Sequence, residues 1–476
     1  MTLFLLFIAA VIIICILATR LSYKFGVPTL LIFILLGMIF GSDGIFKISF
    51  DDFVISENIC TFALIYIMFY GGFCLNFNTA KPVLVKATIM STLGVILTCG
   101  FVGLFCYGIL KTSLLEGMLI GAVVASTDAA SVFSILRMKR LNLKEGIAPL
   151  LEMESGSNDP VAYMLTLIIL TIMGNGTVMQ LIPMIVSQIV FGIIVGAVIA
   201  IASIYLIRHA NFEIESFYII FIIAIAIISY SLSEWMGGNG YLSVYISGII
   251  IGNSKIPHKK TLVHFLDGVS WIMQIILFFI LGLLSSPIEL PKVIGKSVVI
   301  SLVIIFIARP ISVFLVLRRF EFNTREKLFI SWVGLRGAAS IVFSIFALNY
   351  EVNINNDIYH IIFFIALMSV GVQGTLIPII ARRLELLDNN RPVLKTFNDY
   401  VEEKNTKVME VKIEGSCRLI NKSIMDANIP EEILIAMIKR EGEIIIPKGA
   451  SIIKEGDILV VVGNCLEDDL YKVIKK

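Results

Sequence analysis

The sequence is short of charge. Only 16% of its 476 residues are Asp, Glu, Lys or Arg, and the net charge is +2. No run of Lys and Arg is dense enough to follow a phosphate backbone, which excludes binding to a nucleic acid polymer. Histidine is scarce, with four in the chain. The seven cysteines (Cys15, Cys60, Cys74, Cys99, Cys106, Cys417 and Cys465) form no CxxC pair and have no His at ligand spacing. Neither a zinc site nor a disulfide framework follows, and inert buried thiols are expected. Nucleophile-elbow and oxyanion signatures are missing as well. Ser155, Glu154 and His264 therefore do not make a hydrolytic set, and the chain does not read as an enzyme. No cofactor is implied.

In place of charge there is hydrophobicity. Apolar and aromatic residues make up 58% of the chain, and the mean hydropathy is +0.93. Such a composition cannot cover a water-facing surface, so lipid solvates most of the chain. Thirteen apolar runs of about bilayer length can be marked, from 2–19 to 358–380. The first has no basic stretch before it and no small-residue cleavage site after it, so it reads as a membrane helix rather than a leader. The second (27–41) and ninth (241–252) are short for a span. With the N-terminus outside, eighteen loop Lys and Arg fall on the inner side and four on the outer, as the positive-inside rule demands of a correct count. A multi-pass protein of the cell membrane with a cytoplasmic C-terminus is predicted.

Near Leu384 the composition turns to mixed charge. Residues 1–383 form the predicted transmembrane domain and 384–407 a linker, and 408–476 form a small α/β cytoplasmic domain. In the last, VMEVKI, ILIAMIK, EIIIP and DILVVVG read as strands, IMDAN and CLEDDLYKVIKK as short helices, and 455–457 as a turn. So small a domain has little core, which makes a homodimer joined through it expected.

Three spans carry polar residues, and a charged group at mid-membrane costs about 2.5–3.5 kcal/mol or more, which marks it for function. The fifth span (114–136) holds Ser126-Thr127-Asp128-Ala129-Ala130-Ser131, small and polar residues that suit a broken helix. The sixth (146–172) holds the run from Leu151 to Pro160. There Ser155 and Asp159 are four residues apart on one helical face, with Asn158 adjacent. Carboxylate, amide and hydroxyl together suit a hard, partly dehydrated alkali cation. The same desolvated carboxylate can take a proton instead, which is the mutually exclusive binding an exchanger needs. A loop between two shorter helices is the alternative for 151–160. The twelfth span (328–348) holds Arg336 between glycines, and Glu154 is its expected partner, leaving Asp159 free to exchange its ligand. Arg309, in the eleventh span, lies nearer the inner end and can snorkel. The fifth and twelfth spans are seven apart and so run in opposite directions, as in two inverted repeats whose interrupted helices cross.

Taken together, STDAAS at 126–131, ESGSNDP at 154–160, GGNGYLSVYISGIIIGN at 237–253 and GLRGAAS at 334–340 resemble the NhaP-type branch of the cation:proton antiporters. The chain is most similar to bacterial potassium/proton antiporters with an RCK C-terminal (TrkA-C) module, and the resemblance covers essentially the whole of it. It implies an all-α polytopic fold of about thirteen helices in inverted repeats, with crossed interrupted helices. It further implies that Asp159 binds proton and cation alternately, with Ser155, Asn158 and the Thr127 backbone as co-ligands and Asp128 beside the crossing. Glu154 and Arg336 would form a buried structural ion pair. Asn158-Asp159 in place of two aspartates resembles electroneutral members. The C-terminal module resembles domains that bind cyclic di-AMP between two protomers, with Leu434, Ile435, Arg440, Ile446 and Pro447 at matching positions. Ile438 departs from that pattern, where an acidic residue is usual, and strand core with a solvated Arg440 is the other reading. Potassium/proton exchange is the expected activity. Sodium/proton exchange at the same site and a ligand-gated cation channel are the alternatives.

Overall fold

The computed structural model describes residues 2–25, 28–139, 141–144, 146–209, 214–387, 407–413, 417, 419–427, 429, 433–440 and 443–463. The chain divides into two compact units, Met1–Leu394 and Lys395–Lys476.

The first unit is helical. Its elements are α1 (Thr2–Phe25), α2 (Thr29–Phe40), α3 (Phe53–Cys74), α4 (Phe77–Gly108), α5 (Leu114–Ala125), α6 (Ala129–Met138), α7 (Ile147–Met173) and α8 (Val178–His209). There follow α9 (Glu215–Trp235), α10 (Gly240–Gly252), α11 (Lys259–Leu284), α12 (Leu290–Arg319), α13 (Thr324–Trp332), α14 (Ala338–Asn349) and α15 (Ile358–Arg383). Among the described residues nine helical segments are long and apolar enough to cross a membrane, with Leu114–Leu136 counted as one. The other four expected spans correspond to shorter apolar helices, Leu6–Arg20, Thr29–Phe40, Gly240–Gly252 and Ala338–Asn349. The twelfth expected span, 328–348, is interrupted, in keeping with the crossed interrupted helices expected from the sequence. The chain leaves α-helical geometry at Val333 and resumes it at Ala338, because the glycines of this stretch lower helix propensity and tertiary partners take up the freed backbone groups.

Polar side chains begin several of these helices. Asp52, Ser113 and Asn239 accept from the backbone N–H of Ile55, Glu116 and Leu242, respectively. Small residues then let helices approach. A Cβ on Gly248 would lie 2.5 Å from the Phe69 carbonyl, so α3 and α10 touch backbone to backbone.

Three helices contain a five-residue π turn: Met90–Gly94 in α4, Ile304–Ala308 in α12 and Ser369–Gln373 in α15. Such turns recur at functional positions because they re-aim side chains within a helix. The first two share their surroundings. Four residues beyond each, a hydroxyl donates back to the turn's last carbonyl, Thr98 to Gly94 at 2.7 Å and Ser312 to Ala308 at 2.7 Å. The two hydroxyls meet each other at 3.2 Å.

The second unit contains an antiparallel sheet in the order β1-β4-β2-β3, formed by β1 (Lys407–Lys412), β2 (Ile433–Arg440), β3 (Glu443–Ile445) and β4 (Ile458–Gly463). Its core gathers Ile413, Leu419, Ile435, Ile438, Ile453, Leu459 and Val461. The turn expected at 455–457 contains Gly456 at φ +86, a left-handed conformation that glycine adopts without strain. IMDAN is a turn over its described residues, not a helix: Asp426 N donates to the Ser423 carbonyl and hydroxyl. The helix expected at 465–476 and linker residues 388–406 lie outside the described residues.

Candidate functional site

Two broken helices meet at the centre of the first unit. Helix α5 stops at Ala125 and α6 starts at Ala129, and the gap between α13 and α14 lies beside this one: Asp128 N donates to the Leu335 carbonyl at 2.8 Å. A break in lipid leaves N–H and C=O groups without helical partners, and here side chains supply them. The Arg336 guanidinium donates to the Val124 carbonyl and, at 3.0 Å, to that of Ser126. Its positive charge thus sits at the C-terminal, negative end of α5. Asp128 works at the opposite pole, accepting from Ser131 N at 3.1 Å and from the Ser131 hydroxyl at the start of α6. Its carboxylate also lies against Gly337, where a Cβ would come within 2.3 Å of it, just before the start of α14. From α15, Ser369 Oγ accepts from Arg336 N at 2.9 Å and Gln373 donates to the Trp332 carbonyl, which closes the second break.

Helix α7 crosses beside the first break and continues without a loop through 151–160. Ser155 Oγ donates to the Thr127 carbonyl at 2.7 Å and accepts from Ala129 N at 2.9 Å, bridging the ends of α5 and α6. Asn158 Nδ2 donates to Thr127 Oγ1, and Asn158 Oδ1 is buried without a hydrogen-bond partner among the described residues. Asp159 accepts a hydrogen bond from the Ser126 hydroxyl. Around this crossing the structure gathers Asp159, Asn158, Ser155, Thr127 and Asp128. Ser126 is added to the set. It opens the STDAAS run, yet the sequence did not single it out, because side-chain direction in an unwound segment has no period to read.

The ion pair expected between Glu154 and Arg336 is corrected. Glu154 pairs with Arg309, whose Nη2 lies 2.7 and 2.8 Å from the two carboxylate oxygens. Both side chains are at most 2% exposed, so Arg309 does not snorkel. It follows directly on the π turn of α12, which aims it inward. Arg336 is taken up by the carbonyls of α5 instead. With Glu154 neutralised by Arg309, Asp159 remains without an ion-pair partner among the described residues.

In the second unit, Arg440 is partly exposed and its guanidinium is engaged by Asp457. Its Nε and Nη2 each reach an Asp457 oxygen at 2.7 Å, and Nη2 also donates to the Ile452 carbonyl. The Arg440 guanidinium holds the Asp457 carboxyl below the usual carboxylate range. Ile435 points into the core, and its neighbour Leu434, on the other face of β2, is exposed along with Ile446. Pro447 is half-buried.

Comparison with known proteins places this architecture. Residues 7–383 match the transmembrane sodium/hydrogen exchanger family, and residues 408–465 match the TrkA-C domain. The K(+)/H(+) antiporter NhaP of Alkalimonas amylolytica is 32% identical over 462 residues, which are 96% of this chain and 80% of that one. NhaP2 of Shewanella oneidensis, also named a K(+)/H(+) antiporter, is 32% identical over 94% of this chain and 79% of its own. The solved sodium proton antiporter MjNhaP1 of Methanocaldococcus jannaschii shares the fold, with a TM-score of 0.71, 24% identity, and coverage of 79% of this chain and 97% of that one. The chain belongs to the sodium/hydrogen exchanger family of membrane antiporters and carries a TrkA-C domain after its transmembrane part.

Proposed function

We propose that the protein is a secondary active antiporter that exchanges cytoplasmic K+ for external H+, one for one, by alternating access at Asp159. The observation that carries this is the charge pattern around the crossing. Asp128 faces helix N-termini, Arg336 faces the carbonyls at the end of α5, and Glu154 is paired with Arg309. Asp159 is left with a hydroxyl donor and, among the described residues, neither a protein cation nor a backbone N–H donor. A carboxylate in that position must be balanced by a proton or a metal cation, and one carboxylate holds one of either. For the cation, Asp159, the Asn158 Oδ1 oxygen, the Ser126 and Ser155 hydroxyls and the Thr127 backbone form the candidate oxygen ligand set.

Potassium is favoured by the names of the two bacterial relatives. Sodium is the second reading, favoured by MjNhaP1 and by the probable Na(+)/H(+) antiporter 2 of the same archaeon, 28% identical over 319 residues. Family membership supports exchange over the gated channel. The loop charges support a cell-membrane protein with an outer N-terminus and a cytoplasmic TrkA-C domain. That domain would regulate transport, working as a homodimer. A regulatory ligand such as cyclic di-AMP would meet Leu434, Ile446 and Pro447 rather than Ile435 or the occupied Arg440.

The test is proton flux from protein in proteoliposomes on addition of K+ or Na+, for wild type and Asp159→Asn. Flux evoked by K+ and lost in the variant supports the proposal. A response to Na+ alone moves the second reading forward, and flux that survives Asp159→Asn removes the site.

A further inference from the structure

On α7, Tyr163 stands one turn beyond Asp159 and on the same face. Its ring lies 5.1 Å from that of Tyr241 at an interplanar angle of 82°, 5.2 Å from Phe346 and 5.7 Å from Phe343. Tyr241 adds a contact to Phe343 at 6.0 Å, so rings from α7, α10 and α14 close on one another. Tyr163 is 7% exposed, Tyr241 2% and Phe343 1%. One edge-to-face pair and three tilted pairs at these separations leave no room for water between the rings.

The position of this layer gives it meaning. Helix α14 starts beside Asp128 at Ala338 and ends at Asn349, so Phe343 stands about 9 Å and Asn349 about 18 Å along its axis from the break, at roughly 1.5 Å per residue. Beyond the rings the surroundings turn polar again. Asn349 donates to Glu57 at 2.6 Å, and Glu234 accepts from Gly240 N at 2.8 Å. A dry aromatic layer therefore separates Asp159 from an acidic rim. A polar contact holds the same side shut: Asn239 Nδ2 donates to the Pro160 carbonyl at 2.9 Å, linking the N-cap of α10 to the residue after Asp159. On the other side of Asp159, α7 meets α10 through Gly156, where a Cβ would strike the Tyr245 ring at 2.5 Å.

We propose that Tyr163 is the gate on the outer route to Asp159, that its ring seals this route against Tyr241, Phe343 and Phe346, and that the Asn239–Pro160 contact holds it closed. This rests on the Asp159 site and the orientation proposed above. Outward opening requires α7 and α14 to part from α10, which breaks the contacts of Tyr241 with Tyr163 and Phe343 and the Asn239 hydrogen bond together. The ring seals, and the Tyr163 hydroxyl has no share in it.

Side-specific labelling tests the gate without relying on transport. In a background with the seven native cysteines replaced by alanine, Asp159→Cys is exposed to a membrane-impermeant thiol reagent from each face of a vesicle. Adding Tyr163→Ala is expected to raise the outer labelling rate at least roughly tenfold, with the inner rate unchanged, and Tyr163→Phe to change neither. Phe346→Ala and Asn239→Ala, which leave Tyr163 in place, are expected to act in the same direction and cover the case in which Tyr163→Ala does not fold. An outer rate unmoved by these variants overturns the gate, as does Tyr163→Phe acting like Tyr163→Ala. Neither result touches the Asp159-dependent flux, so the gate and the exchange site fail separately.

Discussion

Glu154 and Arg309 are joined by two close contacts, 2.7 and 2.8 Å, between side chains that are both almost fully buried. The pair links α7 to α12 and neutralises the carboxylate that precedes Ser155 in the chain. Breaking a buried pair is costlier than never having built it, since the remaining charge keeps its desolvation penalty.

Arg309→Ala is accordingly expected to destabilise the protein by about 3–5 kcal/mol, seen as lost yield and a lowered melting temperature in detergent. Arg309→Gln combined with Glu154→Gln should recover part of that loss. Arg336→Ala leaves the pair intact and frees the Val124 and Ser126 carbonyls, a smaller cost of about 1–3 kcal/mol. Equal losses in Arg309→Ala and Arg336→Ala would contradict this ordering.

Asp159→Asn is expected to abolish exchange while yield and melting temperature stay near wild type. Among the described residues that carboxylate makes one side-chain hydrogen bond, from the Ser126 hydroxyl, and an amide can accept the same bond.

Ser126→Ala removes the donor to Asp159. A hydrogen bond to a charged group contributes about 1.5–3 kcal/mol, so the half-saturating cation concentration should rise roughly tenfold or more. An unchanged value in flux titrations would exclude Ser126 from the ligand set.

In the C-terminal domain, Asp457 is titratable with a known sign. Arg440 holds its carboxyl below the unfolded value of about 3.9. The pair's stabilisation is therefore complete above that value and is lost as pH falls through the lower, folded one. Urea titrations of the full chain, with a fluorescent probe in this domain, should show weaker folding at pH 3 than at pH 7. Asp457→Asn should reduce that difference.

Deleting residues 395–476 is expected to change how transport responds to cytoplasmic conditions and to leave cation/proton coupling as it was. Coupling lost along with the domain, measured as cation flux without proton flux, would assign it a part in the exchange step.

How much of this was open to sequence reading depended on whether the signal was local. The runs at 126–131, 151–160 and 334–340 stood out because oxygen-bearing side chains are costly in lipid, and the structure brings the three runs together. The strands of the second unit showed in their β-branched residues. The partner of Glu154 did not show. It depends on the π turn before Arg309, which shifts helix register by a residue and leaves no mark in composition. Ser126 was hidden because an unwound segment has no face, and Arg440 because a guanidinium reads alike whether it meets solvent or an aspartate a strand away. The second break was legible in outline, because Gly334, Arg336 and Gly337 interrupt an apolar run, but its exact ends, Val333 and Ala338, were not.

The matched π turns of α4 and α12 bear on the working cycle. Thr98 and Ser312 stand 214 residues apart, one in each half of the chain, with the same backward bond and a bond to each other. If the halves trade shapes when access to the site reverses, as inverted repeats do, a contact between matching positions of the two halves maps onto itself. The distance between these two hydroxyls should then be the same in both facing states, a fixed point about which the rest of the bundle turns.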